Sequence, residues 1–253
     1  MTAIVGILCK DGVVVGTDSS ATLSNGTYRT VEQPMEKIEV IDGHLIVAGT
    51  GSIGLGQRFC YLLHKAWQEK HFSNPRNDGR SEFDIVKAVS RAFIEDMSHT
   101  YLKPGDYGAL LAFPFRNKPF LCEFGVKNFQ PEFKNEQFWY CSMGSAQVIL
   151  DPFLGFLRDV FWEEGPPNLY EGVFAAVWAL LHAIDVNPGG VNGPPRVAVL
   201  ERDSRGRLFA RKLSDDELGE HRQAIAEAKL HLRSFRDKYR PEAGEDLPQL
   251  GEE

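Results

Sequence analysis

The chain has 253 residues, of which 43% are hydrophobic and 25% are charged, and these values exclude a disordered or collagen-like protein. Its 28 Lys and Arg against 35 Asp and Glu give a formal net charge of −7. The sequence therefore lacks the excess positive charge that a nucleic-acid-binding or anionic-membrane-binding surface needs.

The termini and the cysteines point to a cytoplasmic protein. No uncharged run is long enough to span a bilayer, and the N-terminus lacks the basic and apolar segments of a secretory signal. Four widely spaced cysteines are predicted to be reduced, buried residues: Cys9, Cys60, Cys122 and Cys141. The scattered histidines and cysteines show no metal-ligand spacing, so we expect no metal site.

The first 50 residues have the pattern of β structure. Ala3–Lys10 is an apolar run, Asp11-Gly12 is typical of a two-residue hairpin turn, and Val13–Asp18 is the returning strand. Because neither strand alternates cleanly between apolar and polar residues, we expect both faces of their sheet to be covered. Two further short strands are predicted over Lys37–Val40 and His44–Ala48.

Helices and strands then alternate in pairs. The predicted elements are a helix over Leu55–Ala66, a helix capped by Ser81, strands over Tyr107–Phe115, Pro119–Phe124 and Gln137–Ser142, helices over Ser145–Trp162 and Leu169–Asp185, and strands over Arg196–Glu201 and Arg207–Lys212. This order does not fit a doubly wound parallel sheet. It favours an α+β protein in which two antiparallel sheets stack face to face with a helical pair outside each, a four-layer αββα sandwich.

We expect the sandwich to occupy residues 1–212 and a C-terminal helical extension with an acidic tail to occupy residues 213–253. Ser214 and Glu217 form a capping box that opens the helix. Leu218, Ile225, Leu232 and Tyr239 then recur every seven residues, with His221, Ala228 and Phe235 between them. This stripe fits a helix lying on its own domain, or one that contacts a neighbouring subunit or occupies a channel.

A glycine motif after the fourth predicted strand allows two interpretations. Gly49-Thr-Gly51-Ser-Ile-Gly54 matches the GxGxxG pattern of dinucleotide-binding proteins. The predicted helix after it leads into a polar loop and a second helix, so the β-α-β unit that such a site requires is missing. Backbone N–H groups at this strand-to-helix turn could instead face developing negative charge.

The N-terminus offers a different chemistry. Removal of Met1 would give Thr2 a hydroxyl and a free α-amine, which are the nucleophile and general base of an N-terminal threonine enzyme. The two-residue turn at Asp11-Gly12 would put Asp18 opposite Val5, roughly 10 Å from Thr2. Lys37 could bridge that gap, with Asp18 holding its ammonium. The alternatives are a surface lysine at Lys37 and a strand-end cap at Asp18.

These residues lie in segments that resemble the proteasome β-subunit and HslV protease family. The resemblance rests on Thr2-Ala-Ile-Val-Gly-Ile, Lys10-Asp-Gly-Val-Val-Val-Gly-Thr-Asp18-Ser-Ser-Ala-Thr, Lys37-Ile and Ala48-Gly49-Thr-Gly51. It is strong over residues 2–60 and looser to about residue 212. Within this family, the sequence resembles a bacterial proteasome homologue of the β-proteobacterial type. The resemblance implies the N-terminal nucleophile hydrolase fold.

The resemblance also implies roles for individual residues. Thr2 would be the nucleophile, Asp18 and Lys37 would tune it, and the N–H of Gly49 would be the oxyanion donor. Val47 and Ala21 would bind substrate, and the turn of Met143-Gly144-Ser145-Ala146 would bring Ser145 beside the nucleophile. Asp185 would belong to the family's Asp-x-x-Ser-Gly-Gly segment, but here Pro188 stands where the family has Ser, which removes a hydroxyl expected near the α-amine.

The expected function is therefore that of a threonine-type endopeptidase without metal or organic cofactor. By the same resemblance, it would act on polypeptide substrates as a homo-oligomer of two stacked rings, with an ATPase unfoldase as a further expected partner. Two alternatives remain open at the level of sequence: a catalytically idle ring or scaffold subunit, and an amidohydrolase of the same fold that acts on a small amide.

Overall fold

Two stacked antiparallel sheets form the centre of the protein. The computed structural model describes residues 1–24, 29–73, 79–100, 105–187 and 190–238. Their elements, in chain order, are β1 (Ile4–Leu8), β2 (Val13–Thr17), β3 (Ser20–Ser24), β4 (Arg29–Pro34), β5 (Ile38–Ile41), β6 (Leu45–Gly51), α1 (Ile53–Gln68), α2 (Glu82–Ser98), β7 (Tyr107–Phe115), β8 (Lys118–Phe124), β9 (Pro131–Phe133), β10 (Tyr140–Met143), α3 (Gln147–Phe161), α4 (Leu169–Val186), β11 (Arg196–Arg202), β12 (Leu208–Lys212) and α5 (Asp215–Lys238).

The strands of the sandwich pair in two sets. One sheet has the order β10-β1-β2-β11-β12 and the other the order β5-β6-β7-β8-β9, while β3 and β4 pair with each other. Helices α3 and α4 share a hydrophobic core with the first sheet, and α1 and α2 share one with the second. A third core fills the space between the sheets. This is the predicted four-layer αββα sandwich.

Because each sheet has a helical layer on one face and the other sheet on the opposite face, its central strands are buried on both sides. Every residue of β2 is buried, for example, and Val14 and Val15 belong to different cores. Double-sided burial favours continuous apolar runs over alternation. The sequence pattern of β1 and β2 thus follows from the layer order.

The first hairpin has a different register from the one predicted. Leu8 pairs with Val13 and Ile4 with Thr17, and the N–H of Cys9 donates to the carbonyl of Gly12 over 2.9 Å. The turn is therefore centred on Lys10-Asp11, and the predicted turn at Asp11-Gly12 is wrong. Gly12 instead meets a packing requirement, since a Cβ at this position would collide with the carbonyl oxygen of Leu200.

Three short strands and one boundary also differ from the prediction. The hairpin of β3 and β4 and the three-residue β9 were not predicted, because their segments are short and polar or contain proline. The strand predicted to start at Gln137 begins at Tyr140. The side chain of Asn135 accepts hydrogen bonds from the N–H groups of Gln137 and Phe138, and this turn delays the strand.

Helix α4 is the most apolar helix of the described chain. It is long and apolar enough by length and composition to cross a membrane, which corrects the sequence-based expectation that no such segment exists. It packs against β1 and β2 on one side and α5 on the other, with residues such as Ala176 and Leu180 fully buried. Its all-round apolarity is thus explained by its position inside the fold.

Helix α5 begins at the predicted capping box, in which Ser214 and Glu217 exchange hydrogen bonds. Leu218, His221 and Ile225 are buried against α4, whereas Leu232 and Phe235 are 52% and 58% exposed. The first half of the stripe therefore lies on its own domain, and the second half presents apolar side chains to solvent. Tyr239 and the acidic end lie outside the described residues, and the boundary at residue 212 stays a prediction.

We predict that His221 makes the protein less stable in mild acid. Its ring centre lies 4.4 Å from that of Tyr170 on α4, and its buried Nδ1 has no hydrogen-bond partner among the described residues. Burial lowers the pKa of His221, an effect that Glu220 and Glu217 oppose in part. The unfolded chain binds a proton at His221 below about pH 6.5, whereas the folded protein does so only at lower pH. The unfolding free energy should therefore fall as pH drops from 7.5 to 5.5.

Urea denaturation at both pH values measures the effect. His221→Gln should lose less stability than the wild type between pH 7.5 and 5.5. His231→Gln, a control at an exposed position on the same helix, should keep the wild-type pH dependence. An equal pH dependence in all three proteins would contradict a buried, neutral His221.

Candidate active site

Thr2 is held at one end of the sandwich by the turn between β10 and α3. Its N–H donates to Oγ of Ser145 over 3.1 Å, and its carbonyl accepts from the N–H of Ala146 over 3.3 Å. Gly144 has a φ of +92°, and a Cβ there would collide with the Thr2 carbonyl. Because Gly144 has no side chain, the backbone of the turn can pack directly against the Thr2 carbonyl. Met1 is attached in this structure, so the amide nitrogen of Thr2 marks the position that an α-amine would have if Met1 were removed.

Asp18 is a fully buried carboxylate surrounded by donors. One oxygen accepts from the N–H of Ala3 over 2.9 Å and from Nζ of Lys37 over 2.7 Å. The other accepts from the N–H groups of Ser20 and Asn192 over 3.3 and 3.5 Å. Three backbone donors and one ammonium compensate the loss of water around the charge.

Lys37 connects this carboxylate to the N-terminus. Its side chain is only 6% exposed, and its Nζ lies 3.2 Å from the carbonyl oxygen of Met1 as well as beside Asp18. Burial lowers the pKa of Lys37, an effect that the adjacent Asp18 opposes. The alternative of a surface lysine is therefore wrong. Asp18 does accept hydrogen bonds from backbone N–H groups at the strand ends, as a cap would, and it also pairs with Lys37.

The strand register explains why these groups meet. The N–H of Asp18 donates to the carbonyl of Ala3 over 3.2 Å, which extends the β1–β2 pairing one step beyond Ile4 and Thr17. Asp18 is thus beside Ala3 and next to Thr2, two residues nearer than the predicted turn would have put it. Lys37 enters from the residue before β5, in the opposite sheet, so the site forms where the ends of both sheets meet.

A cleft of about 590 Å³ opens beside Thr2 between β5, β6 and α1, and Val47, Ala21 and Gly49 all line it. Val47 is 2% exposed and forms part of the apolar wall. Pairing of β6 with β5 ends at Ala48, so from Gly49 onward the β5 side of β6 has no strand partner among the described residues. A Cβ at Gly49 would collide with the hydroxyl of Tyr107.

Asp185 is not brought into this group. It is exposed near the C-terminal end of α4, and among the described residues its carboxylate makes no hydrogen bond to Thr2 or Ser145. Pro188, which replaces the serine expected from the resemblance, lies outside the described residues. Asn187 is half-buried at the end of α4, where its N–H donates to the carbonyl of Ala183 over 3.0 Å.

Several lining residues escaped the sequence analysis, among them Glu39, Cys60 and Tyr107. Glu39 pairs directly with Val47 across the β5–β6 hairpin, whose turn residues Asp42 and Gly43 both have positive φ. The loop has three residues, 42–44, so the two-residue turn that an Asp-Gly pair predicts would have put Glu39 opposite Ile46, and this signal would not have found the pairing with Val47. Cys60 also corrects the expectation of four buried cysteines, because Cys9, Cys122 and Cys141 are buried but Cys60 borders the cleft.

The glycine motif does not form a dinucleotide site. Its first half ends β6, which pairs antiparallel with β7, and Ser52 caps the following α1 by accepting from the N–H of Leu55. Helix α1 leads to α2 and not to a parallel strand. The sequence-based rejection of the β-α-β unit is therefore confirmed.

Comparisons with known proteins agree with this architecture. A family model described as proteasome subunit matches residues 2–154, more than half of the chain. Proteasome subunit beta 1 of Thermococcus onnurineus (strain NA1) is 45% identical over 53 residues, 21% of this chain and 25% of the relative. Proteasome subunit beta of Methanococcus maripaludis (strain C7 / ATCC BAA-1331) is 37% identical over 62 residues, 24% and 27% of the two chains. The match thus spans about a quarter of the length of these relatives.

Two solved structures are similar over almost the whole chain. Anbu, described as an ancestral beta-subunit, from Yersinia bercovieri has a TM-score of 0.69 over 98% of this chain and 100% of its own. The Gly-1 mutant of Anbu from Hyphomicrobium sp. strain MC1 has a TM-score of 0.71 over the same shares. Both are 14% identical to this chain, so they show the fold, which is the proteasome-type N-terminal nucleophile hydrolase fold.

We predict that the Lys37–Asp18 pair is needed for stability as well as for the site. Lys37→Met leaves the Asp18 carboxylate buried without a cation, which should lower the unfolding free energy by about 3–5 kcal/mol. The double variant Asp18→Asn/Lys37→Met removes both charges and should regain part of the loss. Urea denaturation measures the unfolding free energy of the wild type, of Lys37→Met and of the double variant.

Lys65→Met is the matched control, because Lys65 is 64% exposed and faces Glu69 at 3.8 Å. It should change the unfolding free energy by less than about 0.5 kcal/mol. If Lys37→Met were as stable as this control, the buried pair would not have the role described.

Proposed function

The chain belongs to the proteasome subunit family, and from this premise we propose that it is a threonine peptidase that hydrolyses peptide bonds through an ester on Thr2. One observation carries the proposal. Nζ of Lys37 lies between the buried Asp18 carboxylate, at 2.7 Å, and the Met1 carbonyl, at 3.2 Å, and so directly beside the peptide bond that precedes Thr2.

Activation begins with removal of Met1. While Met1 is attached, the Thr2 nitrogen is an amide and cannot act as a base. After removal it is an amine with an ordinary pKa of about 7.7–8.0. The nearby Lys37 ammonium would disfavour a second positive charge on that amine and would favour loss of the Thr2 hydroxyl proton. Asp18 keeps the ammonium in place through the 2.7 Å contact.

The reaction then follows the acyl-transfer course of a nucleophile with its own base. Oγ of Thr2 attacks the substrate carbonyl carbon while the α-amine takes the hydroxyl proton, directly or through a water. The N–H of Gly49 is the proposed donor to the tetrahedral oxyanion. Collapse expels the leaving amine, which takes the proton from the α-ammonium, and a water activated by the same amine hydrolyses the ester.

Ser145 is the proposed positioning residue for the base. Its Oγ accepts from the Thr2 nitrogen over 3.1 Å and lies 3.5 Å from the Thr2 carbonyl. A hydroxyl at this distance can accept an N–H of the neutral amine, which would direct the nitrogen lone pair toward Oγ of Thr2.

The position of Asp185 favours a second candidate, a catalytically idle ring or scaffold subunit. Its carboxylate is exposed and does not support Ser145 among the described residues. An idle subunit would keep the fold and assemble but would not react at Thr2. The chemistry of Thr2 therefore distinguishes the two candidates.

We propose further that the protein works as stacked homo-oligomeric rings in the cytoplasm. The outer face of α3 carries exposed apolar side chains that a monomer would leave in water, among them Phe156 at 48% and Val160 at 50% exposure. Rings would enclose the Thr2 clefts and admit only unfolded chains. An ATPase unfoldase is the class of partner that such a chamber would need.

We predict that Thr2 alone carries the peptidase activity. Intact-mass spectrometry of the full chain should show loss of Met1 and one adduct after treatment with a peptide epoxyketone, which reacts with the hydroxyl and the α-amine together. Thr2→Ala should lose the adduct and reduce kcat/KM for a peptide amide by about 10⁴-fold or more. Thr2→Ser, the control that keeps a hydroxyl, should still form the adduct.

Two results would overturn this assignment. Labelling that persists in Thr2→Ala would show that the nucleophile is a residue other than Thr2. A wild-type protein that keeps Met1, or that loses Met1 but neither reacts nor cleaves, would favour the idle subunit.

We also predict that a charge on the outer face of α3 breaks the assembly. Val160→Glu should shift the sedimentation coefficient of the wild-type oligomer toward that of smaller species, because a carboxylate in an apolar contact is costly. Arg158→Glu, an exposed control on the same helix, should sediment like the wild type. A wild-type protein that is monomeric at micromolar concentration would contradict the ring proposal.

A further inference from the structure

Among the described residues that line the cleft next to Thr2, one carboxylate has no Lys or Arg as an ion-pair partner. We propose that this residue, Glu39, makes the cleft select substrates with Lys or Arg on the carbonyl side of the cleaved bond. The inference rests on the proposed peptidase function and names its substrate class.

Glu39 is in the wall of the cleft and close to its apolar part. It lies on β5 directly opposite Val47 of β6, and its side chain is 47% exposed. The cleft is also lined by Thr2 and by Gly49. A substrate residue whose carbonyl lies between Thr2 and Gly49 would therefore direct its side chain into a space bounded by Val47 and Glu39.

The other charged residues that line the cleft are paired. Lys37 contacts Asp18 at 2.7 Å, and Glu36 contacts Lys212 at 3.4 Å. These pairs leave little free charge for a ligand of either sign. The cleft is therefore not negative as a whole, and its uncompensated charge is concentrated at Glu39.

The partners of Glu39 itself are a histidine and a thiol. Nε2 of His64 lies 3.0 Å from one carboxylate oxygen, and the Cys60 thiol hydrogen-bonds to the carboxylate. Burial, together with this contact, raises the pKa of Cys60, so the thiol stays protonated and donates. Neither group carries a permanent positive charge. Both contacts orient the carboxylate, and neither comes from a Lys or Arg side chain, which leaves the carboxylate able to attract a cation.

The size and apolar surface of the cleft fit a long cationic side chain. Its volume is about 590 Å³, and Val47, Ile53 and Tyr107 line it. Lys and Arg bury their aliphatic stems against such a surface while the charged head reaches a polar group. A Glu or Asp side chain in the same space would face the Glu39 carboxylate and be repelled.

Three fluorogenic peptide amides that differ only in the residue before the cleaved bond, Arg, Leu or Glu, test the inference on the processed full-length protein. The wild type should cleave them with kcat/KM in the order Arg, Leu, Glu. Glu39→Gln should lower the ratio of kcat/KM for the Arg peptide to kcat/KM for the Leu peptide by about tenfold. Glu39→Lys should reverse the order of Arg and Glu.

Glu69→Gln is the matched control. Glu69 is also 47% exposed and also faces a histidine, with His71 Nε2 at 3.4 Å, but it does not line the cleft. The ratio of kcat/KM for the Arg peptide to that for the Leu peptide should be the same in Glu69→Gln as in the wild type. If Glu39→Gln cleaves the Leu peptide normally and keeps the wild-type ratio, the role of Glu39 is overturned while the peptidase function stands.

A binding measurement separates the inference from the proposed function. If neither the wild type nor Thr2→Ala cleaves any peptide, the peptidase proposal fails, and binding of the Arg and Leu peptides to Thr2→Ala is compared by fluorescence anisotropy. Glu39→Gln in that background should lose about tenfold in affinity for the Arg peptide and little for the Leu peptide. Equal binding of both peptides, with or without Glu39, would overturn the inference as well.

Discussion

The buried contact between Lys37 and Asp18 is the interaction on which the rest of the site depends. Charges that leave water cost several kcal/mol each, and this cost is offset only when attraction and hydrogen bonds are well arranged. Here the carboxylate receives three backbone N–H groups and one ammonium. The donors come from the residue before β1, from the first residue of β3, from the loop before β11 and from the residue before β5. The pair can therefore exist only when both sheets have stacked.

This dependence makes the site a product of the tertiary fold and not of a local motif. Thr2, Asp18, Lys37 and Ser145 are separated by up to 143 positions in sequence, the distance between Thr2 and Ser145. Each sits at the end of a strand or turn, where backbone groups are free to bond to side chains. Close backbone approach completes the arrangement, since the positive φ of Gly144 permits the turn of Ser145 to pack directly on Thr2.

Much of this could be predicted from the sequence, and the exceptions have physical causes. Apolar runs without alternation in β1 and β2 indicated doubly covered strands, and the paired order of helices and strands indicated the αββα layers. The hairpin register was wrong because the glycine in Asp11-Gly12 is needed for packing against Leu200 and not for the turn. Glu39 was not predicted, since its place opposite Val47 depends on a three-residue hairpin loop that the Asp-Gly pair does not specify. Asp185 was included by resemblance, and its exposed position at the end of α4 depends on packing that no local pattern encodes.

Helix α5 covers a face of α4 that would otherwise be exposed to solvent. By covering α4 with Leu218, His221 and Ile225, it makes α4 an interior helix, which is why that helix is apolar all round. It does not cover the outer face of α3, where Phe156 and Val160 remain exposed. Beyond Ile225 its own apolar residues Leu232 and Phe235 are exposed too. If copies of this chain associate through α3, burial of the distal half of α5 in that contact or in a separate one would add to the hydrophobic free energy of association.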